Sequence, residues 1–180
     1  MMRKLVVIAL LGFALLAFAA MLAVAQEETK TEAKTEAKEG AKAEFVGAEK
    51  CAKVCHKVQF NSWLETGHAK AFTVLTDEDK AKPECVTPCH VTGKLADGTM
   101  LEGVQCEACH GAGSEYKSPK IMSKPKWSGD PAGYKKMAMD AGLIYPTAEH
   151  CTQCHKEEGN PNFKPFDFEA SKGKVHAFEE

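Results

Sequence analysis

Cys106-Glu107-Ala108-Cys109-His110 is the stretch that decides the fold, because the same kind of grouping recurs three more times in the chain. In each grouping two cysteines lie close together and a histidine directly follows the second. The four groupings contain all eight cysteines of the 180-residue chain. We number them in chain order as the first to fourth Cys-His blocks: Cys51/Cys55-His56, Cys85/Cys89-His90, Cys106/Cys109-His110 and Cys151/Cys154-His155.

Blocks of this kind are typical of c-type haem attachment, in which two cysteine sulfurs bind the haem covalently and the adjacent histidine binds its iron. The chain has only seven histidines, so their chance placement behind all four second cysteines is improbable. Neither a disulfide framework nor a zinc site requires that placement. We therefore predict four covalently bound haem c groups, with one proximal histidine in each block: His56, His90, His110 and His155.

The first two blocks differ from the others in the distance between their cysteines. Three residues separate Cys51 from Cys55 and Cys85 from Cys89, whereas the third and fourth blocks have the usual gap of two residues. The chain between the two sulfurs must bulge in the wider blocks. A disulfide or a single thioether bond is therefore the alternative for these two blocks.

The N-terminal segment predicts export. A basic start at Met1–Lys4 precedes an unbroken run of apolar residues and glycine, Leu5–Val24, and Ala23-Val24-Ala25 fits a signal-peptidase site. We predict a signal peptide over residues 1–25 and a periplasmic or otherwise exported protein. An uncleaved membrane anchor is the alternative, because about 20 apolar residues are enough to span a bilayer.

Residues 26–44 are predicted to be a charged low-complexity linker, since Thr-Glu-Ala-Lys repeats there without a hydrophobic face. Residues 45–180 contain all four blocks and are predicted to form one tetrahaem domain. We expect the polypeptide to wrap around its haems, so that the haem-free chain does not fold. The formal net charge of −2 argues against nucleic acid as a partner.

The pattern between the blocks predicts a mainly α-helical fold with much irregular loop. Phe60, Trp63, Leu64, His68 and Ala71 share one face of a helix. Twelve residues of helix span about 18 Å, so His68 cannot return to the iron held by His56.

Two further elements can be located from turn and capping residues. Asp97-Gly98 between short apolar pieces indicates a small β-hairpin. Asp130-Pro131 indicates the start of a helix that stops at Gly142.

Three histidines outside the blocks, His68, His150 and His176, are candidates for distal iron ligands. His176 lies eight residues after Phe168, on nearly the same helical face, and is interpreted as a distal ligand. An aromatic C-terminal tail that packs without binding iron is the alternative. Three histidines cannot serve four irons, so one iron takes methionine, lysine or water, or stays open and able to bind a small ligand.

Five stretches together are more specific than the Cys-His blocks alone: Val46-Gly47-Ala48-Glu49-Lys50-Cys51 leading to Trp63, Gly67-His68-Ala69-Lys70-Ala71, Cys89-His90-Val91, Gly103-Val104-Gln105-Cys106-Glu107-Ala108-Cys109-His110-Gly111-Ala112-Gly113, and Phe166-Asp167-Phe168 with His176. Through them, most of residues 45–180 resembles the tetrahaem cytochrome c554 family of periplasmic electron carriers. That resemblance implies a mostly helical protein with closely stacked haem pairs. It implies that His68 binds the third haem, that His176 binds the fourth, and that the second haem lacks a distal protein ligand.

The chain departs from the family pattern at the distal ligand of the first haem. The family has a histidine at the position of Lys120. Met122, two residues further on, and the uncommitted His150 are the candidates to replace it, and we favour Met122.

These features predict an exported tetrahaem cytochrome that passes single electrons between a redox-protein donor and a redox-protein acceptor. It is not predicted to be an enzyme, because the sequence shows no separate catalytic constellation. Membrane association would follow from an uncleaved N-terminus. Two alternatives are a haem enzyme that binds or reduces nitric oxide or a related nitrogen species at the iron of His90, and a subunit of a conductive cytochrome filament.

Overall fold

The computed structural model describes residues 43–53 and 55–178. The predicted signal peptide and nearly all of the predicted linker lie outside these residues. Within the described part of the chain, no helix is both long enough and apolar enough to cross a bilayer.

Short helices and loops make up most of the described chain, as the sequence predicted. A single two-stranded sheet joins them within these residues. The helices are α1 (Ala48–Ala52), α2 (Lys57–Leu64), α3 (Asp77–Lys80), α4 (Pro83–Val86), α5 (Cys106–His110), α6 (Lys124–Gly129), α7 (Pro131–Asp140), α8 (Ala148–Cys151) and α9 (Phe168–Ser171), followed by a 3₁₀ helix at Lys172–Lys174.

The predicted hairpin is present between the second and third blocks. Strand β1 (Val91–Lys94) pairs antiparallel with β2 (Met100–Glu102). Asp97 accepts a hydrogen bond from the Thr99 amide at 2.9 Å, and Gly98 has a φ of 87°, which favours glycine. The turn thus brings the end of the second block close to the start of the third.

Helix α7 begins where the sequence predicted. Asp130 caps it by accepting a hydrogen bond from the Gly133 amide at 2.9 Å, and Pro131 occupies its first turn. The helix ends at Asp140, and Gly142 follows with a φ of 98°. The Leu143 amide then bonds back to the Ala138 carbonyl at 2.9 Å, which closes the helix end.

The helices expected to carry His68 and His176 are shorter than predicted. Helix α2 ends at Leu64, where the Thr66 hydroxyl bonds the Trp63 carbonyl at 2.7 Å, so His68 lies in the turn that follows. Likewise α9 ends at Ser171, and His176 lies beyond the 3₁₀ turn that contains Gly173. The helical faces proposed for these two histidines are therefore wrong.

The polypeptide buries few hydrophobic side chains of its own. Three of the seven buried hydrophobic residues in the described chain are alanines. Larger apolar side chains such as Val74 and Met139 remain exposed. The buried hydrophobic residues are Ala48, Ala52, Val86, Val91, Leu101, Tyr116 and Ala138.

Candidate haem-binding site

Each Cys-His block lies at the end of a short helix or in the turn beside it. Cys51 is in α1, and His56 directly precedes α2. The third block forms the whole of α5, whereas the fourth begins at the end of α8 and continues into a turn. All eight cysteines are free thiols, and Cys55 is the exposed one. A turn of helix sets the two sulfurs and the histidine of a block near one another, as attachment to a single haem requires.

Thiol contacts join the first block to the third. A hydrogen bond between Cys51 and Cys106, together with burial, raises the pKa of the Cys51 thiol, and the same bond lowers the pKa of the Cys106 thiol. The two segments are 55 positions apart in the sequence, but the two thiols are close enough to shift each other's pKa. The first and third blocks are therefore neighbours.

A second thiol contact joins the second block to the fourth. Burial raises the pKa of the Cys154 thiol to about 11, with the adjacent Cys89 thiol adding to the shift. The first block thus lies near the third and the second near the fourth, and Cys109 of the third block also lies near Cys151 and Cys154 of the fourth. This arrangement agrees with the stacked haem pairs that the resemblance implied.

Two pairs of histidine rings face each other across a gap of the size that one metal ion fills. The ring centres of His68 and His155 lie 5.9 Å apart, and those of His110 and His176 lie 6.3 Å apart. Two imidazoles that bind one metal from opposite sides, each through a bond of roughly 2 Å, hold their ring centres about 6 Å apart. Both pairs therefore fit the axial positions of a haem iron.

Main-chain carbonyls fix the tautomer of His90, His110 and His176. His90 Nδ1 lies 2.5 Å from the Ala71 carbonyl, His110 Nδ1 lies 3.0 Å from that of Ile144, and His176 Nδ1 lies 2.8 Å from that of Ala177. A proton on Nδ1 that is donated to a carbonyl leaves the Nε2 lone pair available to a metal. These histidines thus keep Nε2 free of the bonds that hold Nδ1, and Nε2 is the nitrogen that would bind iron.

Burial favours the neutral imidazole that iron binding needs. It lowers the pKa of His68, with a smaller effect from His155. Burial also lowers the pKa of His110, partly offset by its bond to the Ile144 carbonyl. Within the described residues, no group of three or more Cys, His, Asp or Glu side chains converges as a metal cluster.

The histidine contacts differ from the pairing that the resemblance implied. That pairing gave His68 to the third haem and His176 to the fourth, whereas the ring of His68 lies near that of His155 in the fourth block and the ring of His176 lies near that of His110 in the third. The iron ligands of both haems stay a prediction. The main-chain carbonyl of His68 accepts a hydrogen bond from the Val104 amide at 2.9 Å, which helps to hold His68 in place. His176 is held through the Ala177 amide, which donates to the Ser62 hydroxyl at 2.7 Å.

The two remaining candidates lie in different parts of the chain. His150 is half-buried in α8, and both it and His56 lie near enough to His110 to help lower the pKa of that imidazole. Met122 is half-buried in the loop before α6, and its amide bonds the Ser118 carbonyl at 2.8 Å.

Comparison with known proteins supports the same type of site. Residues 50–111 match the family model described as cytochrome c554 and c-prime. The chain is 34% identical over 146 residues to cytochrome c-554 of Nitrosomonas europaea, an alignment that covers 66% of this chain and 61% of that protein. The chain thus spans less than two thirds of the length of this relative.

The fold also matches a solved structure. The reduced state of cytochrome c554 from Nitrosomonas europaea aligns with a TM-score of 0.51 and 28% sequence identity, covering 77% of this chain and 81% of that one. The resemblance seen in the sequence is confirmed, as are the mainly helical fold and the prediction of covalently bound haem c.

Proposed function

Because the chain is a multihaem c-type cytochrome similar to cytochrome c554, we propose that it relays single electrons between a redox-protein donor and a redox-protein acceptor in the periplasm. The observation that carries this proposal is the pair of facing histidines on two of the four blocks. Two axial imidazoles leave no position for a substrate on the metal between them. Such a centre suits electron transfer rather than catalysis.

The residues that would hold the haems follow from the blocks. His155 would pair with His68 in the fourth haem, and His110 with His176 in the third. When bound, the haem supplies a reversible one-electron centre. The thioether bonds would come from the paired cysteines of each block: Cys51 and Cys55, Cys85 and Cys89, Cys106 and Cys109, Cys151 and Cys154.

The thiol contacts support a short path for the electron. The Cys51 thiol is close enough to Cys106, and the Cys154 thiol close enough to Cys89, for their pKa values to shift, so the blocks lie near one another. The hairpin β1–β2 then links the second block to the third. Neighbouring attachment points keep successive one-electron centres close, as a relay requires.

The distal ligand of the first haem is proposed to be Met122 or His150. His150 and His56 both lie near enough to His110 to lower the pKa of its imidazole, which supports His150. Thioether ligation by Met122 would instead give this haem a higher potential than the bis-histidine haems. Export to the periplasm is proposed from the basic and apolar pattern of residues 1–25.

A second candidate function rests on His90. Within the described residues, no other histidine ring faces His90 as His68 faces His155. An open axial position there would bind a small ligand such as nitric oxide, and the chain would then be an enzyme acting on a nitrogen species.

Rapid mixing separates the two functions. We expect all four haems of the reduced protein to be reoxidised by an outer-sphere oxidant such as ferricyanide, whereas nitric oxide should be consumed no faster than by free haem. The reason is that two of the irons would have both axial positions closed. Stopped-flow absorbance measures the oxidation, and an electrode measures the consumption of nitric oxide.

His68→Ala serves as the control, because it removes one proposed ligand of the iron of the fourth block. Nitric oxide should then bind that iron and give a complex visible in the absorbance spectrum. Turnover of nitric oxide by the unaltered protein well above the rate of free haem would overturn the carrier assignment in favour of the enzyme.

A further inference from the structure

Glu107 is a buried carboxylate within the third block. It lies between Cys106 and Cys109 on α5 and is only 2% exposed. Among the described residues, every other aspartate and glutamate is at least partly accessible to solvent. A charge withdrawn from water is costly unless polar groups of the protein replace the water.

Main-chain amides replace that water around Glu107. Oε1 accepts hydrogen bonds from the amides of Val46 at 3.0 Å and Gly113 at 2.7 Å. Oε2 accepts from the amides of Val46 at 3.0 Å and Gly47 at 2.7 Å. All the donors are neutral, and within the described residues no lysine or arginine forms an ion pair with Glu107. The carboxylate is thus held in place by main-chain amides alone.

The two glycines are required by this cradle. A Cβ on Gly113 would lie 3.0 Å from Glu107 Oε1 and 3.2 Å from the Val46 side chain. Gly47 has a φ of 82°, a conformation that side-chain-bearing residues rarely adopt. The glycines let the backbone approach the carboxylate and point its amides inward.

The charge of Glu107 lies beside the attachment points of the first and third haems. Cys106 is its neighbour on α5, and the Cys51 thiol lies close to Cys106. Glu107 adds to the hydrogen bond and the burial that raise the pKa of the Cys51 thiol. For Cys154 of the fourth block, the charges that shift the thiol pKa come from other residues. The effect of the carboxylate is thus concentrated on the first and third blocks.

We propose that Glu107 is a positioning residue whose fixed negative charge lowers the reduction potentials of the haems held by the first and third blocks. Ferric iron carries one more positive charge than ferrous iron, so a nearby anion favours the ferric form, and burial strengthens this effect. The inference rests on the proposed function. It predicts that the haem of the third block has a lower reduction potential than the haem of the fourth block.

Glu107→Gln tests the proposal by removing the charge while keeping the size of the side chain. The one-electron reduction equilibrium of the first and third haems should shift about tenfold toward the reduced form, which equals about 59 mV. Potentiometric titration followed by absorbance and electron paramagnetic resonance measures this shift. Glu115→Gln is the matched control, because Glu115 is an exposed carboxylate near the same block and should change the equilibrium less than twofold.

Gly113→Ala separates charge from packing. The added methyl group crowds the amides around Glu107 but keeps the carboxylate, so thermal stability should fall. The reduction equilibria of the first and third haems should change less than twofold. A shift in Gly113→Ala as large as that in Glu107→Gln would overturn the proposal, as would unchanged potentials in a folded Glu107→Gln protein.

A third measurement needs no change at Glu107. His176→Ala and His68→Ala identify the low-spin signals of the third and fourth haems, because each variant should lose one of them. In the unaltered protein, the signal of the third haem should titrate at a lower potential than the signal of the fourth. The reverse order would contradict the inference even if Glu107→Gln fails to fold. The haem content of each protein is measured alongside: fewer than four haems in the unaltered chain would count against the proposed function, whereas four haems with unshifted potentials would count against the role of Glu107 alone.

Discussion

Protein prepared without haem should show no cooperative thermal unfolding. Replacing all eight cysteines with serine removes every predicted attachment point, and the chain should then give a weak helical circular dichroism signal that changes gradually with temperature. The described helices are only four to ten residues long, and helices of that length are unstable without tertiary packing. The buried hydrophobic residues are too few and too small to offset the loss of chain entropy.

The control for this experiment is the haem-loaded His68→Ala protein, which lacks one ligand but keeps all the thioether bonds. It should retain a cooperative transition. A sharp unfolding transition in the eight-serine variant would show that the polypeptide holds its own core and would contradict the prediction.

Replacing His68 with alanine should turn one low-spin haem into a high-spin haem, and that haem should be the fourth. His68 faces His155, so its loss leaves the iron of the fourth block with one protein ligand. His176→Ala should have the same effect on the third haem, because His176 faces His110. Electron paramagnetic resonance of the oxidised proteins counts the spin states.

The identity of the altered haem can be read from Phe166, which stacks on His155 with ring centres 4.6 Å apart. Its paramagnetically shifted nuclear magnetic resonance signals should move in His68→Ala and stay nearly in place in His176→Ala. If the Phe166 signals move in His176→Ala and not in His68→Ala, His176 binds the fourth haem, as the resemblance implied.

Local features of the fold were predictable because the residues that cause them lie close together in the sequence. Each Cys-His block spans five or six residues, the hairpin follows from Asp97-Gly98, and α7 follows from Asp130-Pro131. In each case a bond or turn within a few residues determines the element. Tertiary packing adds little to these choices.

The histidine pairing was not predictable in this way. Periodicity suggested longer helices, but the Thr66 hydroxyl competes for a helix carbonyl and so ends α2 before His68. The bond from Ala177 to Ser62 joins residues 115 positions apart, and it helps to place His176. Such long-range contacts leave no local pattern in the sequence.

The role of Glu107 was also missed, since a glutamate between two cysteines looks like an ordinary polar spacer. The signal lay in its surroundings. Val46-Gly47 and Gly111-Ala112-Gly113 supply unobstructed amides, but they flank different blocks and meet only in the folded chain.

Intact-protein mass spectrometry under denaturing conditions counts the haems on each chain, and reductive titration counts the electrons that they accept. Covalently attached haem stays with the chain when the protein unfolds. We expect four haems on each chain, all eight cysteines consumed by thioether bonds, and an uptake of four electrons. Two haems and two electrons, with the cysteines of the first two blocks joined in disulfides, would contradict this expectation.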